Sequence, residues 1–144
     1  MGKTFGKLAT GAEAQLYTIS CGRIRADITN YGAALVALFV DGLDVVLGLD
    51  DVSAYATQGG YLGAVVGRNA NRVGGAKFDL FGQTVLLPAN EGPNCLHSGP
   101  DCWSYRLWDV AAQTENSLTL AIHSPHGDQG FPGNADVSVT YTIE

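Results

Sequence analysis

The sequence has 144 residues, 46% of them hydrophobic and only 15% charged, with 8 Lys and Arg against 14 Asp and Glu for a net charge of −6. An acidic chain without a basic run repels nucleic acid phosphates. Its longest apolar stretch, residues 33–40, falls far short of the roughly 20 residues a membrane helix needs, so no membrane span is expected.

Taken in chain order, alternation of period two dominates. Ile24, Ala26 and Ile28 alternate with Arg23, Arg25, Asp27 and Thr29, which predicts a strand with one face in the core. Asp41 and Gly42 separate apolar runs at 34–40 and 43–47, the signature of a tight hairpin. Residues 50–57 predict a short helical turn, with Asp51 or Ser53 as its cap. Phe81 and Gly82 predict a second hairpin between 77–80 and 83–87, and Asn116 and Ser117 a third between 107–113 and 118–124. Leu118, Leu120 and Ile122 alternate with Thr119, Ala121 and His123. In residues 135–144, Val137, Val139, Tyr141 and Ile143 point one way while Asp136, Ser138, Thr140, Thr142 and Glu144 point the other. These patterns read as an all-β protein of antiparallel strands.

Met1 leads into Gly2, Lys3 and Thr4 without an apolar core, so no secretory segment is expected. Three sparse cysteines, Cys21, Cys95 and Cys102, make no disulfide framework and point to a reduced, cytoplasmic protein.

Three polar stretches, 67–75, 88–104 and 124–134, read as loops carried on the sheet scaffold, where binding groups are usually placed. The first holds Arg68, Asn69, Asn71 and Arg72 between glycines. Amides and guanidinium forks together supply the mixed donors and acceptors that sugar hydroxyls need. Spacing alone leaves a second reading open, in which the arginines pair with carboxylates and the asparagines close turns. The second loop holds His97 beside Ser98 and Gly99; its imidazole is read either as a cleft group able to donate, accept and act as an acid near neutral pH, or as a loop histidine without a partner. Cys95, His97 and Cys102 match no standard zinc spacing and read as partly buried thiols beside a histidine. In the third loop His126 and Asp128 read either as an acid-orienting pair or as parts of a shaped turn. His123, on the polar face of its strand, reads as solvated.

These blocks, in this order, resemble the aldose 1-epimerase (galactose mutarotase) family. The resemblance rests on Gly63, Ala64, Val65, Val66, Gly67 and Arg68; on Ala70, Asn71, Arg72 and Val73; and on Gly75, Phe78, Gly82 and Leu87. It continues through Asn90, Gly92, Asn94, Leu96, His97 and Gly99, then Trp108, Ser124, Pro125, Gly127, Gly130, Phe131, Pro132 and Gly133. It begins near Tyr31 and reaches the last residue. Ser98 stands where the family usually has Gly, His126 where it has an acidic residue or Asn, and Cys102 where a small residue is expected.

The resemblance implies an antiparallel β-sandwich of the galactose mutarotase-like supersandwich kind. Residues 1–144 would be a single partial domain, the N-terminal portion of an incomplete sandwich. It implies interconversion of the α and β anomers of an aldose such as galactose or glucose, without a cofactor or metal, and sugar contact by Asn71, Arg72 and His97, with His97 in a supporting role. The family's proton-donating histidine and glutamate base belong to later motifs, which do not occur in these 144 residues. The residues also leave open a non-catalytic carbohydrate-binding or structural sandwich module. A homo-oligomer joined through open sheet edges or faces is expected.

Overall fold

The computed structural model describes residues 2–144. Among the described residues, twelve short strands, one α-helix of a single turn and a half and three 3-10 turns make up the regular structure, and every strand pairing is antiparallel. Strands β1 (Lys3–Lys7), β2 (Glu13–Cys21), β3 (Ile24–Thr29), β4 (Leu35–Val40) and β5 (Leu43–Asp44) form one sheet in chain order. Helix α1 (Val52–Thr57) follows. Asp51 caps it as expected, its carboxylate accepting from the Ala54 N–H at 2.9 Å. Strands β6 (Arg72–Val73) and β9 (Cys95–Leu96) pair with each other, as do β7 (Lys77–Leu80) and β8 (Gln83–Leu86). Strands β10 (Asp109–Gln113), β11 (Ser117–Ser124) and β12 (Ala135–Thr142) form the second large sheet.

The two large sheets bury a shared core. Ile19, Ala26 and Ile28 of the first meet Leu118 and Leu120 of the second around Trp103 and Trp108, with Val137, Val139 and Tyr141 packed alongside. Tyr141 spans the layers, its hydroxyl donating to the Ala33 carbonyl at 2.8 Å. The other face of the first sheet is also covered: Phe5, Ala14 and Val36 pack against Val52 and Tyr55 of α1 and against Tyr31 and Ala34. A third cluster, Ala76, Leu87, Cys95 and Phe131, lies beneath the β6–β9 pair.

Several expectations need correction. Residues 43–47 were expected to continue as a strand, but only Leu43 and Asp44 pair, and Leu43, Val45 and Leu47 face solvent. The third hairpin turns at Glu115 and Asn116, and Ser117 already belongs to β11. The loops at 67–75 and 88–104 are not free of strand, since they contribute β6 and β9. β1 and β2 carried no prediction. In β2 the apolar residues change faces partway: Ala14 and Leu16 join the cluster with α1, whereas Tyr17 and Ile19 join the core between the sheets. A strand buried on both faces loses the period-two signature. Among the described residues no helix is long and apolar enough to cross a membrane.

Candidate functional site

Two loops meet over the third core cluster. The first starts at Gly67, against which the Trp103 indole lies so closely that a Cβ would overlap the ring. Arg68 turns away from the loop's later residues. Its Nε donates to the Ser124 hydroxyl at 2.9 Å, and its terminal nitrogens donate to the carbonyls of Ser124, Pro125, Pro132 and Gly133. Arg68 therefore holds the β11–β12 connection in shape. Asn69 is clipped to the second loop by Ser98: the buried Ser98 hydroxyl accepts from the Asn69 N–H at 2.6 Å and donates to the Asn69 carbonyl at 3.0 Å. Serine in place of the family's usual glycine thus ties the loops together.

The register of β6 against β9 does the rest. Arg72 lies opposite Leu96 and Val73 opposite Cys95, which sets Asn71 opposite His97. The Asn71 N–H donates to His97 Nδ1 at 3.0 Å, and the His97 N–H donates to the Asn71 carbonyl at 2.9 Å. Arg72 Nη1 donates to Asn71 Oδ1 at 2.9 Å, while its Nε and Nη2 each donate to a Glu91 carboxylate oxygen at 2.5 Å. Asn90 and Asn94 shape the second loop. The Asn90 amide takes the Leu96 N–H at 2.7 Å and donates to the Leu96 carbonyl at 3.0 Å, and Asn94 Oδ1 accepts from the Gly75 N–H at 3.2 Å.

The electrostatics follow from this geometry. Hydrogen bonds from Arg72 hold Glu91 below the usual carboxylate range, and the same bonds raise Arg72. Partial burial, helped by the Arg72 charge, lowers the His97 imidazole from its ordinary value. A backbone N–H can only donate, so Nδ1 of His97 is the acceptor and Nε2 carries the proton. The lowered pKa favours the neutral imidazole, which in this tautomer has one N–H, at Nε2.

Asn71, Arg72 and His97 therefore converge on one open rim, with Asn71 and Arg72 exposed and His97 half-buried. Arg68, of the same loop, does not join them. His126 and Asp128 form no pair: His126 Nδ1 accepts from the Gly133 N–H at 2.9 Å, while Asp128 binds Arg106 at 2.6 and 2.8 Å and accepts from the Ser124 hydroxyl. Exposed His123 meets Asp136 at 2.6 Å on the outer face of the second sheet. Cys95 and Cys102 are buried rather than partly so. Two concavities, one bordered by Asp109, His123 and Asp136 and one by Arg23, Arg25 and Phe39, lie on the sheets and contain none of the three rim residues.

Two rim residues escaped the sequence reading. Glu91 sits inside a recognised loop, but nothing in spacing paired it with Arg72. Tyr61 packs edge-on against the His97 ring at 4.6 Å between centroids and beside Tyr105 at 5.3 Å. Tyr61, Asn71, His97 and Ser98 all adopt left-handed backbone, with φ of 54°, 58°, 51° and 74°. Such conformations cost energy for non-glycine residues and cluster where function demands a geometry.

The family model described as Aldose 1-epimerase matches residues 15–144. The chain belongs to the aldose 1-epimerase family. The match begins well before Tyr31 and so takes in most of β2. The chain is 42% identical over 137 residues to the aldose 1-epimerase of Haemophilus influenzae, covering 92% of this chain and 40% of that protein. It is 36% identical over 146 residues to the galactose mutarotase of Bos taurus, covering 97% of this chain and 42% of that protein. A crystal structure of an aldose epimerase homologue from C. elegans superposes with a TM-score of 0.85 at 30% identity, over 90% of this chain and 42% of that one. The galactose 1-epimerase of Lactobacillus acidophilus shares the fold, with a TM-score of 0.87 at 24% identity, over all of this chain and 44% of that one. The chain thus spans about two fifths of the length of these relatives, and its sandwich is the galactose mutarotase-like fold.

Proposed function

We propose that this chain carries one side of an aldose-binding cleft, and that the protein to which it belongs interconverts the α and β anomers of an aldose such as galactose or glucose. The observation that supports this most is the interlocked set of Asn71, Arg72 and His97 on an open rim. Arg72 retains one free hydrogen on each terminal nitrogen, suited to two neighbouring hydroxyl oxygens. Asn71 keeps its amide NH₂ free for a third oxygen, because its Oδ1 is taken by Arg72. His97 offers Nε2–H, and the Tyr61 ring steadies the imidazole from the side.

In the reaction, one group removes the proton from the C1 hydroxyl while another protonates the ring oxygen. The C1–O5 bond breaks, the aldehyde turns about C1–C2, and the transfers run in reverse on the other face. The rim holds the ring; the proton transfers are assigned to groups outside residues 1–144. Each such group typically supplies 10²- to 10⁴-fold, so the chain alone is expected to bind without strong acceleration. The unpaired thiols of Cys21, Cys95 and Cys102 support placing the protein in a reducing, cytoplasmic compartment.

The test is mutarotation of fresh α-glucose by polarimetry on the longer protein, with Arg72→Ala and His97→Ala alongside. Slower turnover in both variants supports the proposal, and unchanged rates in both contradict it. Sugar binding by the longer protein without any acceleration would favour a carbohydrate-binding module instead.

A further inference from the structure

A guanidinium has five N–H donors, and three of those of Arg72 are engaged. Glu91 takes Nε–H and one hydrogen of Nη2, both at 2.5 Å, and Asn71 takes one of Nη1 at 2.9 Å. The bidentate pair fixes the plane of the guanidinium, and with it the direction of the two hydrogens left over. It also sets the charge of the rim. Glu91 and Arg72 are the charged groups that act on His97; their formal charges are opposite and sum to zero, and burial favours the uncharged form of the His97 ring. The rim is therefore rich in directed donors and carries no net charge. An arginine without this partner would favour carboxylates and phosphates, which match its fork.

The Glu91 side chain has no other hydrogen-bond partner among the described residues, so its carboxylate is not needed to close its own loop. The loop is closed by the backbone bridge between Glu91 and Asn94 and by the Asn90 clamp on Leu96. Nor is the carboxylate buried, its side chain being 37% exposed.

We propose that Glu91 is a positioning and specificity-determining residue, which aims Arg72 and cancels its charge so that the rim takes uncharged aldoses in preference to anionic sugars such as uronates and sugar phosphates. This rests on the aldose-binding reading above and deepens it.

Galactose and galacturonate test it, since they differ only in a hydroxymethyl or a carboxylate at C6. Titration of each into the 144-residue chain, followed by ¹H–¹⁵N NMR, gives two dissociation constants for the wild type, Glu91→Gln and Glu91→Ala. The wild type should favour galactose. In both variants the affinity ratio should move toward galacturonate by about 3- to 10-fold at low salt, and the gain should shrink at about 0.5 M salt, where exposed charges are screened. Glu91→Asp, which keeps the charge, should stay near the wild-type ratio. A spectrum with native dispersion verifies the fold, and two independent neutral variants guard against loss of one. Galactose binding with an unchanged ratio in the neutral variants overturns the role of Glu91 and leaves the aldose reading intact. No saturable binding of either sugar to any form overturns both.

Discussion

Asn71 and His97 are joined twice, the N–H of Asn71 donating to His97 Nδ1 at 3.0 Å and the N–H of His97 donating to the Asn71 carbonyl at 2.9 Å. One bond belongs to the extension of the β6–β9 ladder and the other fixes a tautomer. Backbone pairing of two very short strands is thereby converted into a side-chain orientation, which is how the fold presents an imidazole N–H at the rim.

This relationship predicts the titration of His97. Its pKa is lowered, so the neutral ring should persist below the ordinary value of about 6.5. Protonating Nδ1 would set it against the Asn71 donor. Long-range ¹H–¹⁵N NMR should show the Nε2–H tautomer at pH 7 and a midpoint below 6.5, with galactose affinity level above pH 7 and falling only once the ring charges. An Nδ1–H tautomer, or a midpoint at or above 6.5, contradicts the assignment.

Ser98 predicts a stability effect at the site. Its hydroxyl serves both the N–H and the carbonyl of Asn69, so Ser98→Ala removes two hydrogen bonds and leaves backbone groups unsatisfied. The cost should be about 1–3 kcal/mol in urea unfolding, with sugar affinity lowered as the two loops part. A variant as stable as wild type shows that the clip carries no weight.

Asp128 predicts a pH-dependent one. Hydrogen bonds from Arg106 chiefly hold its carboxyl below the usual range, with Ser124 adding to this. A carboxylate with a depressed folded pKa contributes stability above its unfolded value, and that contribution is lost as pH falls through the folded value. Asp128→Asn should therefore cost about 2–4 kcal/mol at pH 7, and the gap from wild type should narrow below about pH 4. A gap that is constant from pH 7 to pH 3 contradicts this.

Much of the scaffold was legible because its signals are local. The alternation in β12, the Asp41 and Gly42 turn and the Asp51 cap each need only a few neighbouring residues. β2 was not legible, because Leu16 and Ile19 serve cores on opposite faces of one sheet. At the site, Arg68 and Arg72 look equivalent in sequence. Only the fold separates them, one against the carbonyls of the β11–β12 connection and one against Glu91. Tyr61 was invisible for the same reason: its contact with His97 spans a long stretch of chain.

The open strand edge predicts self-association. β12 is the last strand of its sheet and its outer edge is unpaired by any described strand, while Leu43, Val45 and Leu47 are exposed beside the other sheet. Such edges and patches recruit a second chain. Light scattering at high concentration should give a dimer or larger species, and a single 15.1 kDa species rules it out.

The account depends on one rim acting as a unit toward a pyranose. The most direct measurement is a galactose titration followed through the side-chain signals of Asn71 Nδ2, Arg72 Nε and His97 Nε2, with Arg68 Nε as an internal control. All three rim signals should move together and fit one dissociation constant while Arg68 stays still. Saturable shifts confined to the groove beside His123 and Asp136, or no saturable shift at the rim, would contradict it.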